Sequence, residues 1–239
     1  MDILHQPERV IIEYNGMWLV SNFEKMQLPK GWGVEQQITC VDGSTFQMYM
    51  ANMKSIFMDM IKNTDMVIFN RCKKEDPLPT YRRGIKVANQ RAEVIFEDEE
   101  GELGDIFQDE MPFDMNAPVI EILPEDYGIW FVDAMDHPEN YEGKTVKFKA
   151  RVMKPRGMGS KFFVPGRTAM TCCADDTTFL GYVCKSAYAP KLTAGQWVEV
   201  TAKVGIEKRN EYQGEEGIVL DAEYVEACEP LADEMVYFN

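Results

Sequence analysis

The chain has 239 residues, 45% of them hydrophobic and 27% charged, enough apolar material for one large or two ordinary cores. With 25 Lys and Arg against 40 Asp and Glu, the net charge of −15 repels phosphate backbones and disfavours non-specific nucleic-acid binding. No apolar run approaches the roughly 20 residues of a membrane span. MDILHQPERV lacks the pattern of an export signal, and six cysteines are too sparse for a disulfide scaffold, so a reduced, cytoplasmic protein with no direct membrane insertion is expected.

The first part alternates short apolar runs with helical stretches. Residues 8–14 (ERVIIEY), 36–41, 65–70 and 92–96 read as strands covered on both faces. Between the second and third, Phe46, Met50, Met53, Phe57, Met60 and Ile61 recur at three- and four-residue steps, which predicts one buried helical face rather than a soft-metal surface. Ser44 or Thr45 is the expected N-cap. Strand, helix, strand in repetition predicts a parallel α/β sheet with right-handed crossovers. The acidic run EDEEGELGD and the Pro-punctuated MPFDMNAP then mark a boundary, dividing the chain into residues 1–114 and 115–239.

The second part reads differently. A short helix is expected near YGIWFVDAMD, followed by five strand-like runs separated by RGMGS, ADDTT, TAGQ and NEYQGEEG. Val146, Phe148, Ala150 and Val152 alternate cleanly, as do Val198, Val200, Ala202 and Val204. Five strands without a long helix predict an all-β, five-stranded OB-like barrel.

Glu13-Tyr14-Asn15-Gly16 ends the first apolar run as E-x-x-G. A carboxylate there can hold Mg²⁺ through water, and the glycine lets a backbone N–H approach a γ-phosphate. Val41-Asp42, then Asn70, then Asn89 and Ala92 follow at the ends of successive elements. In order and spacing, residues 7–97 resemble the second half of the CobW-like metallochaperone GTPases. The resemblance implies a partial P-loop-type G domain in which Glu13, Gly16 and Asn70 belong to the nucleotide site, with GTP and Mg²⁺ bound only in an intact domain. The guanine motif departs from the family pattern, reading Asn70-Arg71-Cys72-Lys73, and the chain holds neither G-x-x-x-x-G-K-[ST] nor C-x-C-C. The resemblance thus leads to the expectation that the front half of a G domain is absent from this chain, supplied by a longer reading frame or by a partner chain.

Gly166-Arg167-Thr168-Ala169-Met170-Thr171-Cys172-Cys173-Ala174-Asp175-Asp176 is the most distinctive string. It resembles the soluble C-terminal domain of a family of permease accessory proteins of Gram-positive bacteria, over residues 119–238. Successive strand residues point to opposite faces, so Cys172 and Cys173 need a bulge or the following turn to meet one metal. Cys184, across the hairpin, is a third candidate ligand; buried packing of these thiols is the favoured expectation, and a thiolate site for Zn²⁺ or Cu⁺, or a redox pair, is the other. Arg167, charged in an apolar strand, is expected to pair with an acid such as Asp175 or Asp176.

Together the two resemblances imply a GTP-binding protein of metal, chiefly zinc, homeostasis whose barrel recognises a permease or metalloprotein client. The rival expectation is a non-enzymatic protein-interaction module without metal, and nucleic acid is not an expected partner.

Overall fold

A computed structural model describes residues 7–104, 111–173 and 176–236, apart from the side chains of Cys172, Cys173 and Asp176. After a short helix α1 (Val20–Glu24), three strands form a parallel sheet in chain order: β1 (Ile38–Asp42), β2 (Met66–Asn70) and β3 (Glu93–Phe96). Their register aligns Val41 with Phe69 and Phe69 with Phe96. The crossovers are α2 (Phe46–Ile61) and α3 (Leu78–Ala88), as the alternating pattern predicts. Pro79 is tolerated in the first turn of α3, where its missing N–H has no partner to lose.

Both helices cover the same sheet face. Val41, Val67, Phe69 and Phe96 meet Phe46, Phe57 and Ile61 of α2 and Tyr81 and Ile85 of α3 in one core. The Phe46 ring sits 4.9 Å from Phe69 and 4.6 Å from Tyr81, edge to face. Each such ring contributes about 2 kcal/mol by leaving water. At Met53 the backbone departs from helical values (φ −135°, ψ 28°), and beyond that kink Met58 is buried while Met60, expected inside, is only half-buried.

Two expectations are corrected here. Residues 8–14 form no strand: Ile11 is 91% exposed and Ile12 55%, so this run has no sheet neighbour to bury it. Among the described residues the sheet is also covered on one face only. Its second face carries Ile38, Cys40, Ile68 and Ile95, which range from half-buried to exposed.

The second unit closes on itself. β5 (Thr145–Met153) pairs antiparallel with β6 (Phe162–Cys173) and with β9 (Trp197–Lys208). β9 pairs antiparallel with β10 (Glu216–Ala227), β10 runs parallel to β8 (Val183–Lys185), and β8 returns to β6. The ring β5-β6-β8-β10-β9 is therefore a complete five-stranded barrel, closed by one parallel pair. Three short strands attach outside it: β4 (Ile120–Glu121) on β5, β7 (Asp176–Gly181) on the far half of β6, and β11 (Met235–Val236) on β6.

The alternating residues of β5 and β9 named above all point inward and are buried. Helix α4 (Tyr127–Asp136), the short helix expected from the sequence, adds Tyr127, Trp130, Phe131 and Ala134 to this core. Two tyrosine hydroxyls tie it there through long-range contacts. Tyr127 donates to the Leu180 carbonyl at 3.0 Å, and Tyr182 donates to that of Phe131. Among the described residues, no helix is long and apolar enough to cross a membrane.

Candidate functional site

Parallel strands gather their chemistry at their carboxyl ends. There Asp42 accepts from the Ser44 amide at 3.0 Å and hydroxyl at 2.6 Å, and from Arg71 Nη1 at 2.6 Å. These hydrogen bonds, that of Ser44 foremost, hold the Asp42 carboxyl below the usual carboxylate range. Arg71 takes the left-handed conformation (φ 55°) just after β2. A Cβ on Gly43 would lie 2.8 Å from Cys72 Sγ, so only glycine lets the β1–α2 turn pass beneath Cys72. Burial pushes the Cys72 thiol up to about 11.

Asn70, at the end of β2, is exposed beside this turn. Glu13 is exposed outside any strand, and Gly16 sits in a turn whose carbonyl accepts from the Tyr49 hydroxyl at 3.2 Å. No described contact brings these three residues to one site. Asn89 serves the fold instead. Its side-chain amide donates to the carbonyls of Ile61 and Thr64, both at 2.8 Å, finishing the C-terminus of α2.

The thiols are dispersed as well. Cys184 is fully buried opposite Phe163, near the start of β6, and burial raises its thiol pKa strongly. Cys172 and Cys173 end the same strand. The nine residue steps from Phe163 to Cys172 correspond to about 30 Å of extended strand. The expected meeting of Cys184 with that pair across a hairpin is therefore corrected: β7 intervenes, and β8 pairs with the opposite end of β6. The side chains of Cys172 and Cys173 lie outside the described residues. The β6–β7 register does shift between Met170 and Cys173, the irregularity that two neighbouring thiols need in order to share a side. Among the described residues no group of three or more His, Cys, Asp or Glu could hold a metal.

Arg167 is 2% exposed. Its guanidinium donates to the Pro124 carbonyl and to those of Asp233 (3.1 Å) and Met235 (3.0 Å), and lies 5.6 Å from the centre of the Tyr127 ring. Burial lowers its pKa. Asp175 lies outside the described residues. The register sets Asp176 opposite Cys173, six residues along β6 from Arg167. The cation thus ties the approach to α4 and the strand β11 onto β6.

Among the described residues the second face of the sheet is open and the outer edge of β1 has no strand partner, an exposed edge of the kind expected of a partial sheet. Ile38 is 47% exposed there, Cys40 is an exposed thiol, and Val34, at 61%, lies just before the strand. The Arg9 guanidinium lies 3.6 Å from the Glu35 carboxylate, three residues before β1, and Val10, Ile11 and Ile12 are exposed.

Fold and surface together define a small one-sided α/β unit joined to a closed β-barrel with its own plugging helix. Residues 102–238 match the family described as the DUF1980 C-terminal domain, and the chain belongs to that family. The match does not extend into the segment resembling a CobW-like GTPase. No curated protein matches the chain. Two crystal structures of Rim1, a mitochondrial single-stranded DNA binding protein from S. cerevisiae, are similar at 10% identity. Each comparison covers 37% of this chain and 97% of that one with a TM-score of 0.23, too low to bear on fold or function.

Proposed function

We propose that this protein works by docking, as a partner-binding component of metal homeostasis, with the open margin of β1 receiving a strand from another polypeptide. The observation that carries the reading is that margin. Among the described residues the outer edge of β1, beside exposed Val34 and Ile38, is unpaired and a template for a further strand, whose apolar side chains would pack beside Ile38 and Cys40, with exposed Ile11 and Ile12 offering it more apolar surface. The resemblances supply the context: the partner completes a G domain, which alone would bind GTP and Mg²⁺, and the barrel recognises the permease or metalloprotein client. Cys40 gives the test. Isolated from its own cells, the chain is expected to elute well above its own 27.5 kDa with Cys40 shielded from maleimide. The I11D/I12D variant is expected to elute as a monomer with Cys40 reactive. A wild-type chain that elutes at its monomer mass with Cys40 fully reactive overturns the proposal.

A second reading rests on the register shift between Met170 and Cys173: the barrel itself carries Zn²⁺ on the paired thiols. Stoichiometric zinc in the purified chain, lost in C172S/C173S, supports it. Metal-free wild-type protein after zinc loading and desalting rejects it.

A further inference from the structure

A net charge of −15 describes the chain as a whole and conceals its distribution. Between residues 151 and 196 there are seven basic side chains and two acidic ones. The fold collects most of the seven at one end of the barrel. The β5–β6 connection (residues 154–161) carries Lys154, Arg156 and Lys161, and the β8–β9 connection (residues 186–196) carries Lys191, directly after Lys185 ends β8. Neither connection contains an acid. The two are stitched together: Lys154 Nζ donates to the Ala189 carbonyl at 2.7 Å, and the Ser186 amide donates to that of Lys161 at 2.9 Å. Phe162 and Lys185 are register partners, which fixes the roots of both loops side by side.

Lys154 is committed to that carbonyl, but Arg156, Lys161, Lys185 and Lys191 are exposed and have no ion pair among the described residues. Asp221, the register partner of Lys185, and Glu234, 4.0 Å from Arg151, bound the patch on either side. Glu207 and Glu211 hold Arg209 at a third margin, where its guanidinium lies 4.4 Å from the centre of the half-buried Phe162 ring. Inside these limits the two stitched loops carry exposed cations and an exposed aromatic. Tyr188, 43% exposed, stands between Lys185 and Lys191, its amide held by the Ser186 hydroxyl at 3.1 Å. Gly157 (φ +86°) and Gly159 keep the facing loop slim enough for a backbone to lie against it.

We propose that these two loops form a binding surface for single-stranded nucleic acid. Arg156, Lys161, Lys185 and Lys191 engage successive phosphates, and Tyr188 stacks on a base. Charge complementarity selects a polyanion, and the exposed ring amid the cations selects one with flat apolar faces between its charges. An acidic peptide or an anionic bilayer has the charge without those faces. Whole-chain electrostatics disfavours such a ligand at long range, so the surface operates at contact and at modest salt. This inference is independent of the docking margin at β1, which lies on the other unit.

The test uses the full chain and a fluorescein-labelled oligothymidylate of about 12 nucleotides at about 50 mM salt, read by anisotropy. Binding is expected to weaken with salt at a log–log slope of about −3, four phosphate contacts at roughly −0.7 each. The R156E/K161E/K191E variant should bind at least about 100-fold more weakly, and Y188A about tenfold, both melting within a few degrees of wild type. No wild-type binding, undiminished binding by either variant, or displacement by polyglutamate or phosphatidylserine vesicles at equal charge concentration overturns the proposal.

Discussion

Arg82 on α3 places its Nη2 3.1 Å from the Asp136 carboxylate at the end of α4, and the same carboxylate takes Lys86 at 3.3 Å. These contacts join the α/β unit to the barrel's plugging helix. Asp136 is only 10% exposed in its side chain, and its partners 24% and 12%, so solvent screens the triad only in part. Asp136→Asn leaves two cations without their counter-charge and should destabilise the chain by about 1–3 kcal/mol. Urea unfolding should then show the α/β unit melting ahead of the barrel. A variant that unfolds in a single transition at the wild-type midpoint contradicts this role.

Arg167→Met should be more severe. It strips a donor from three carbonyls at once, those of Pro124, Asp233 and Met235, and unsatisfied buried acceptors cost about 1–3 kcal/mol each where water cannot replace the donor. Limited proteolysis should cut the mutant first after residue 227, between β10 and β11. Wild-type resistance there would mean that β11 holds without the clamp.

Gly166 and Gly181 face one another across β6 and β7. A Cβ at Gly166 would lie 2.3 Å from the Leu180 carbonyl oxygen, and one at Gly181 would lie 2.6 Å from that of Pro165. These are backbone atoms and cannot turn aside, so Gly166→Ala should cost about 2–3 kcal/mol through displaced pairing. A melting temperature unchanged from wild type would show that the strands separate freely at this point.

Thiol chemistry gives a pH prediction. In the partner-free I11D/I12D monomer at about pH 8, Cys40 should react with maleimide first and the buried Cys72 and Cys184 last. For Cys72 the neutral thiol is favoured by folding, its pKa standing at about 11 against 9.0 unperturbed. The native state therefore binds more protons than the unfolded one above pH 9. That contribution is fully present below about pH 9 and is lost as pH rises toward 11. Cys72→Ala should shallow the alkaline fall in stability over this interval. Unchanged alkaline unfolding would assign the fall to other buried groups, such as Cys184 and Tyr182.

Strand and helix periodicity carried far because burial dictated it. The inward residues of β5 and β9, most of the buried face of α2, and the barrel were legible. Residues 8–14 misled for the same reason: Val10, Ile11 and Ile12 have strand chemistry, but pairing needs a neighbour, and local pattern cannot report one. Cys184 looked adjacent to Cys172 because a hairpin was assumed, whereas the chain pairs β7 first and then carries β8 to the other end of β6. Arg167 was recognised as a buried cation in need of partners. Carbonyls 43 to 68 residues away could not be read from its surroundings in sequence. The basic loops were hidden by averaging charge over the whole chain.

The long reach of Arg167 has a bearing on how the molecule is made. Translation delivers Pro124 and Arg167 well before Asp233, which lies 66 residues beyond the arginine. Until Asp233 is made, the guanidinium can find only the Pro124 carbonyl of its three, and the seam along β6 has nothing to seal it. A polypeptide released from the ribosome short of Asp233 would carry that open seam permanently, a ready mark for degradation by cellular quality control.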